Sequence, residues 1–158
     1  MGLDMYLERH KYIGANYEHR NIKGTINITE GKDNTPIPVD LSKVVTIIES
    51  VAYWRKANAI HKWFVDNTQY GEDQNGVDSY VSREQLKELV GVCKEVLQAP
   101  EGLAFEQMAV TKLPPVSGFF FGSTNIDEWY KRDLEYTVEV IEEALKDKSG
   151  EFYYHSSW

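Results

Sequence analysis

The residues with the most chemical capacity are concentrated in one run, Tyr53-Trp54-Arg55-Lys56-Ala57-Asn58-Ala59-Ile60-His61-Lys62-Trp63-Phe64, where an amide and an imidazole lie among aromatic rings and cations. If the run is helical, its 3–4 spacing puts Trp54, Asn58 and His61 on the face that also carries Ile47 and Val51. Burying an unpaired Asn or His costs about 1–3 kcal/mol, so each needs a partner, supplied by the protein or by a ligand. Arg55 and Lys62, seven residues apart, would share a second face and present two cations to an anionic group. A solvated basic face is the plainer account of the same pair.

A second cluster is Ser117-Gly118-Phe119-Phe120-Phe121-Gly122-Ser123-Thr124. It leads into an expected helix, so Gly122, Ser123 and Thr124 would offer free N–H groups and the positive end of the helix dipole to a phosphate or carboxylate. No Gly-Lys-Ser/Thr follows, so this is not a Walker A loop, and it is not a dinucleotide fingerprint. A buried Phe strand with ordinary Ser/Thr capping accounts for it equally. Ten Tyr and four Trp supply flat rings with polar tips, suited to stacking a base and also to packing a core.

Signatures of catalysis are sparse. There is no His-Glu-x-x-His and no Cys-x-x-Cys, and His10, His19, His61 and His155 lack ligand spacing, so neither a metal nor a cofactor is indicated. Cys93 falls on an apolar helix face and reads as core. Asp133 shares a face with Tyr130 and Thr137 and is a candidate acid or base, although Asp127, Glu128 and Asp133 also complement a helix dipole. A Ser123–His61–Asp constellation lacks the Gly-x-Ser-x-Gly frame. No residue is assigned as catalytic, and binding is the better reading than turnover.

Those clusters must be held by an α+β domain of about three helices packed on a small, mostly antiparallel sheet that includes both termini. Leu3, Met5 and Leu7 alternate with Asp4, Tyr6 and Glu8, predicting a strand over 2–9. Residues 20–39 read as a β-hairpin excursion around Glu30-Gly31-Lys32-Asp33-Asn34. Asp40 or Ser42 then caps a helix running to about Asp66. Ser82 with Gln85 forms a capping box for a second helix facing inward through Leu86, Leu89, Val90, Cys93 and Leu97. Residues 101–116 are mixed, Thr124 with Asp127 resembles a capping box for a third helix, and Lys148-Ser149-Gly150 ends it. Phe152-Tyr153-Tyr154-His155-Ser156-Ser157-Trp158 has strand propensity and pairs with strand one.

The 158 residues fit one domain over 1–158, and 42% hydrophobic content supplies a core. Seventeen Lys and Arg against 25 Asp and Glu give a formal net charge of −8, which argues against nucleic acid as a partner. No apolar run approaches the ~20 residues of a membrane span, and one cysteine cannot make an internal disulfide, so a cytoplasmic protein is expected.

Four segments together resemble a group of small hypothetical proteins of bacteriophages and prophages: Met1-Gly-Leu-Asp-Met-Tyr-Leu7, the run from Tyr53 to Phe64, Ser117 to Thr124 with Asp127-Glu-Trp-Tyr130, and Phe152 to Trp158. The group carries no activity to transfer, and no residue role is taken from it. The resemblance implies an accessory protein in the cytoplasm of an infected cell, where countering host defence by sequestering a nucleotide signal is a known strategy. The resemblance implies an anionic-nucleotide binder that is a homo-oligomer, because sponges of this type often place sites at subunit interfaces, with Trp54, Arg55, Asn58, His61, Lys62, Gly122, Ser123 and Thr124 as its site by residue type. The rival is an acidic interaction protein that blocks a host defence or nucleic-acid-binding protein through Glu135, Glu139, Glu142 and Glu143.

Overall fold

The computed structural model describes residues 2–14 and 27–158. In chain order the elements are β1 (Asp4–Tyr12), β2 (Thr29–Glu30), β3 (Thr35–Pro36), a 3-10 turn (Leu41–Lys43), β4 (Thr46–Arg55), α1 (Asn58–Thr68), β5 (Ser79–Val81), α2 (Arg83–Leu97), α3 (Leu103–Lys112), α4 (Glu128–Lys146) and β6 (Glu151–Ser157). The fold is α+β, with four helices and a four-stranded sheet in the order β4-β1-β6-β5, every pairing antiparallel. The two terminal strands form its centre, with Met5 opposite Ser156 and Leu7 opposite Tyr154. The alternation of Leu3, Met5 and Leu7 explains why: all three are fully buried, and so are Phe152 and Tyr154 of β6.

The small hairpin forms where its turn residues predict. β2 and β3 pair across Gly31 and Asn34, both in the left-handed region, while residues 20–26 of the expected excursion lie outside the described residues.

The long helix expected from Asp40 or Ser42 to Asp66 is two elements instead. Val44, Val45, Thr46, Ile47, Ile48 and Val51 are β-branched, and their segment pairs with the free edge of β1 as β4. The register explains the misleading period. Leu7 faces Ala52 but Glu8 faces Ser50, so Val51 is an extra residue in a bulge. That insertion turns a two-residue alternation into the spacing Ile47, Val51, Trp54, which imitates a helix. Lys56, with φ 63°, then turns the chain into α1.

The capping box of Ser82 and Gln85 forms in full, and α2 buries Leu86, Leu89, Val90, Cys93 and Val96. Segment 101–116 holds a fourth helix, α3, beyond the three expected. It buries only Phe105 and Ala109 while Leu103 and Val110 stay exposed, so it has no apolar stripe to read. The α4 cap is Asp127 rather than Thr124: its carboxylate accepts from the Trp129 and Tyr130 amides. Buried side chains of the sheet and all four helices form one cluster. No helix of the described residues is long and apolar enough to cross a membrane.

Candidate functional site

A cavity of about 270 Å³ opens where the end of β4, the first turn of α1, the loop 115–125 and the start of α4 converge. From β4 and α1 it takes Arg55, Lys56 and Asn58; from the loop, Ser123 and Asn125; from the region of α4, Asp127, Trp129, Tyr130 and Asp133. Segments more than fifty residues apart in sequence thus form its walls.

Asn58 is the stitch between them. Its Nδ2 donates to the carbonyls of Phe121 (3.1 Å) and Ser123 (2.8 Å), and its Oδ1 accepts from the amide of Val116 (3.2 Å). A buried amide with every demand met inside the protein is a structural device. Leu3 adds a second stitch, donating its N–H to the Phe120 carbonyl (3.2 Å) and accepting from the Lys56 amide (2.7 Å). The loop can lie this close because of two glycines. A Cβ on Gly118 would stand 2.5 Å from the Phe121 ring, and one on Gly122 would stand 3.0 Å from Lys56 Cβ at a φ of 86°.

Lys56 (φ 63°) and Phe120 (φ 71°) are non-glycine residues in the left-handed region, a conformation that costs about 1–2 kcal/mol each and clusters at functional sites. Both belong to the two walls joined by Leu3.

The charges are arranged unevenly. Lys56 forms no ion pair among the described residues, and the nearest carboxylate to Arg55, that of Asp4, is 3.9 Å away. The Asp127 carboxylate is occupied as the α4 cap, so the anion expected at the helix start near Gly122, Ser123 and Thr124 is already supplied by the chain itself. Burial, reinforced by the charge of Asp127, pushes the Asp133 carboxyl up to about 6. Trp129 is 71% exposed, and the Arg132 guanidinium lies 5.1 Å from its ring centroid.

Of the residues singled out from sequence, the cavity brings together Arg55, Asn58, Gly122 and Ser123. Trp54, His61, Lys62 and Thr124 do not line it. The single face expected to unite Trp54, Asn58 and His61, and that of Arg55 with Lys62, do not exist, because Trp54 and Arg55 lie on β4. Trp54 is buried and donates from Nε1 to Thr137 Oγ1 (2.9 Å), tying β4 to α4. Lys62 pairs with Asp66 one turn on.

His61 is 1% exposed, with Nδ1 2.7 Å from the Tyr154 hydroxyl and Nε2 3.0 Å from Asp73 Oδ2. Burial lowers its pKa against the opposing pull of Asp73, and burial holds the Tyr154 hydroxyl well above the ordinary phenol range. Cys93, buried on α2, has its thiol pushed up to about 12 and is inert core.

Lys56, Pro115 and Asn125 belong to the cavity and carried no signal in the sequence as site residues. For Lys56 the signal is conformational and emerges only from the backbone. Asp127, Trp129, Tyr130 and Asp133 were visible as residue types but not as neighbours of Arg55. On the proposed rival surface, Glu142 and Glu143 are already paired with Lys94 and Lys146. Among the described residues, no three His, Cys, Asp or Glu are placed to hold a metal ion. No family model, curated protein or solved structure matches this chain, so its site is read from geometry and chemistry alone.

Proposed function

We propose that the cavity binds a small anionic ligand of the nucleotide class and that the protein retains it intact. The observation that carries this reading is the convergence of Arg55 and Lys56, neither closely paired, with Ser123, Asn125 and the exposed ring of Trp129 around one opening. The two cations suit a phosphate, and Trp129 suits a base. Asp133 suits the hydroxyl or amino donors of a sugar or base, which an inorganic anion lacks.

The volume narrows the ligand. About 270 Å³ is just below the usual range of small-molecule sites, room for a phosphate with its sugar while the base stays at the rim beside Trp129. A larger signal would bind through one end, with a second copy of the chain closing over the rest. The infected-cell setting implied by the resemblance to phage proteins makes sequestration of a defence signal the role of such a site.

Asp133 favours a second reading. A carboxyl brought to about 6 inside a cavity is suited to general acid–base catalysis at neutral pH. One experiment addresses both. Native mass spectrometry of the full chain with a panel of mononucleotides, cyclic nucleotides and ADP-ribose-type nucleotides reads stoichiometry and subunit count, and product analysis after release reads turnover. A bound mass recovered unchanged supports retention, and released product moves the assignment to Asp133 chemistry. A clean unliganded spectrum across the panel rejects the nucleotide class.

A further inference from the structure

The sheet has two faces, and the helices cover one. Leu3, Met5, Leu7 and Ala52 point to the helices, while the residues alternating with them point away and stay partly exposed. On that outer face the rings form a carpet across all four strands. Tyr53 of β4 lies 5.3 Å from Tyr6 of β1, which stacks at 4.8 Å and 22° on His155 of β6. Beside this row, His10 of β1 lies 4.4 Å from Tyr153 of β6, which lies 5.9 Å from Tyr80 of β5.

Each ring pair has a carboxylate fixed next to it. Asp4 accepts from the Tyr53 hydroxyl, and Glu151 accepts from that of Tyr153. The carboxylate of Glu8 stands 3.1 Å from His10 Nε2, and that of Asp78 stands 3.1 Å from His155 Nδ1. Among the outward positions of these strands the one cation is Arg55, at the corner shared with the cavity.

Three kinds of occupant are distinguished by this chemistry. Stacked rings on a sheet suit nucleobases, but four carboxylates among them repel the phosphates that come with the bases. A second copy related by a twofold axis would bring the same carboxylates face to face. A guanidinium satisfies both features at once, because its plane stacks on a tyrosine while its fork of N–H groups donates to a carboxylate alongside. We propose that the outer face of the sheet docks an arginine-rich segment of a partner protein. The net charge of −8 steers such a segment toward the chain, and the fixed pairing of ring and carboxylate selects arginine over lysine.

The test uses the full chain and two synthetic peptides of equal length and charge, one presenting arginine and the other lysine at alternate positions between glycines. Binding is followed by fluorescence anisotropy over a range of salt. The arginine peptide is expected to bind at least tenfold more tightly. Tyr6→Leu with Tyr153→Leu should erase that preference, whereas Glu139→Gln with Glu142→Gln on α4 should preserve it. Glu8→Gln with Glu151→Gln, which leaves the rings in place, should weaken arginine-peptide binding at least fivefold and flatten its salt dependence. Equal affinity for the two peptides overturns the proposal, as does a preference unchanged in the Glu8 and Glu151 pair. Tighter binding of a single-stranded oligonucleotide than of the arginine peptide also overturns it. A concentration-dependent dimer abolished by Tyr6→Leu with Tyr153→Leu would overturn it too and assign the face to a second copy.

Discussion

Asn58 and His61 are three residues apart on α1, yet they serve two regions of opposite character. Asn58 holds a loop so that a cavity stays open beside it, while His61 joins Asp73 and Tyr154 in a closed polar chain. The cavity leaves charge available: Arg55 and Lys56 lack close partners, and Asp133 is kept from ionising freely by burial and by Asp127. The closed chain leaves none, because each ring nitrogen of His61 meets an oxygen of the protein. Burying polar groups therefore gives rigidity where every group is paired and binding capacity where some are not.

The largest effect should come from breaking the closed chain. His61→Ala leaves the Tyr154 hydroxyl and the Asp73 carboxylate without their partner and opens a void, at a cost of about 3 kcal/mol read by urea unfolding at pH 7. Asn58→Ala should cost about 2 kcal/mol in the same assay through the loop it releases. Losses under about 0.5 kcal/mol for both would mean that the two residues are not structural, and the contrast between the regions would disappear.

Next in size is the cavity itself. If the cavity binds a nucleotide as proposed, Arg55→Ala with Lys56→Ala should lower that affinity about 100-fold while changing unfolding free energy by no more than about 0.5 kcal/mol. A large loss of stability with binding intact would reverse the roles given to the two regions.

The pH dependence sharpens the comparison, because the regions respond with opposite sign. Asp133 has a folded pKa near 6, above the ordinary value of 3.8, so the folded state holds the proton more tightly. Its contribution is full below about 4 and is lost as pH rises through 6. His61 has a folded pKa below the ordinary 6.5, so its contribution is present above 6.5 and is lost as pH falls below that value. Asp133→Asn should accordingly be more stable than the parent at pH 7, on the order of 1 kcal/mol after allowance for solvent screening, with the gap closing by pH 4. An unchanged gap from pH 4 to 7 would count against a buried carboxyl at this position. The smallest effect belongs to neither region: Glu142→Gln loses an exposed pair with Lys94 and should shift stability by less than about 0.5 kcal/mol.

Much of the frame was legible locally. The alternation in β1, the Ser82–Gln85 capping box and the turn at Gly31 to Asn34 each depend on residues close in sequence, and each formed. The β4 segment was misread because the bulge at Val51 produced a helical spacing from a strand. The α3 helix escaped because its apolar residues do not share a face. At the site, Arg55, Asn58, Gly122 and Ser123 stood out by type, but Lys56 is marked by its backbone and Asp133 by its neighbours.

The sequence by itself determined the fold class, the terminal strands, the acidic balance and the types of residue available for binding, because composition, period and capping act over a few residues. Tertiary structure alone decided that Asn58 would bond to the loop and that the outer sheet face would carry its rings in register. Those outcomes rest on contacts between segments up to about 150 residues apart, such as Tyr6 with His155, and no local pattern encodes which distant partner a side chain will meet.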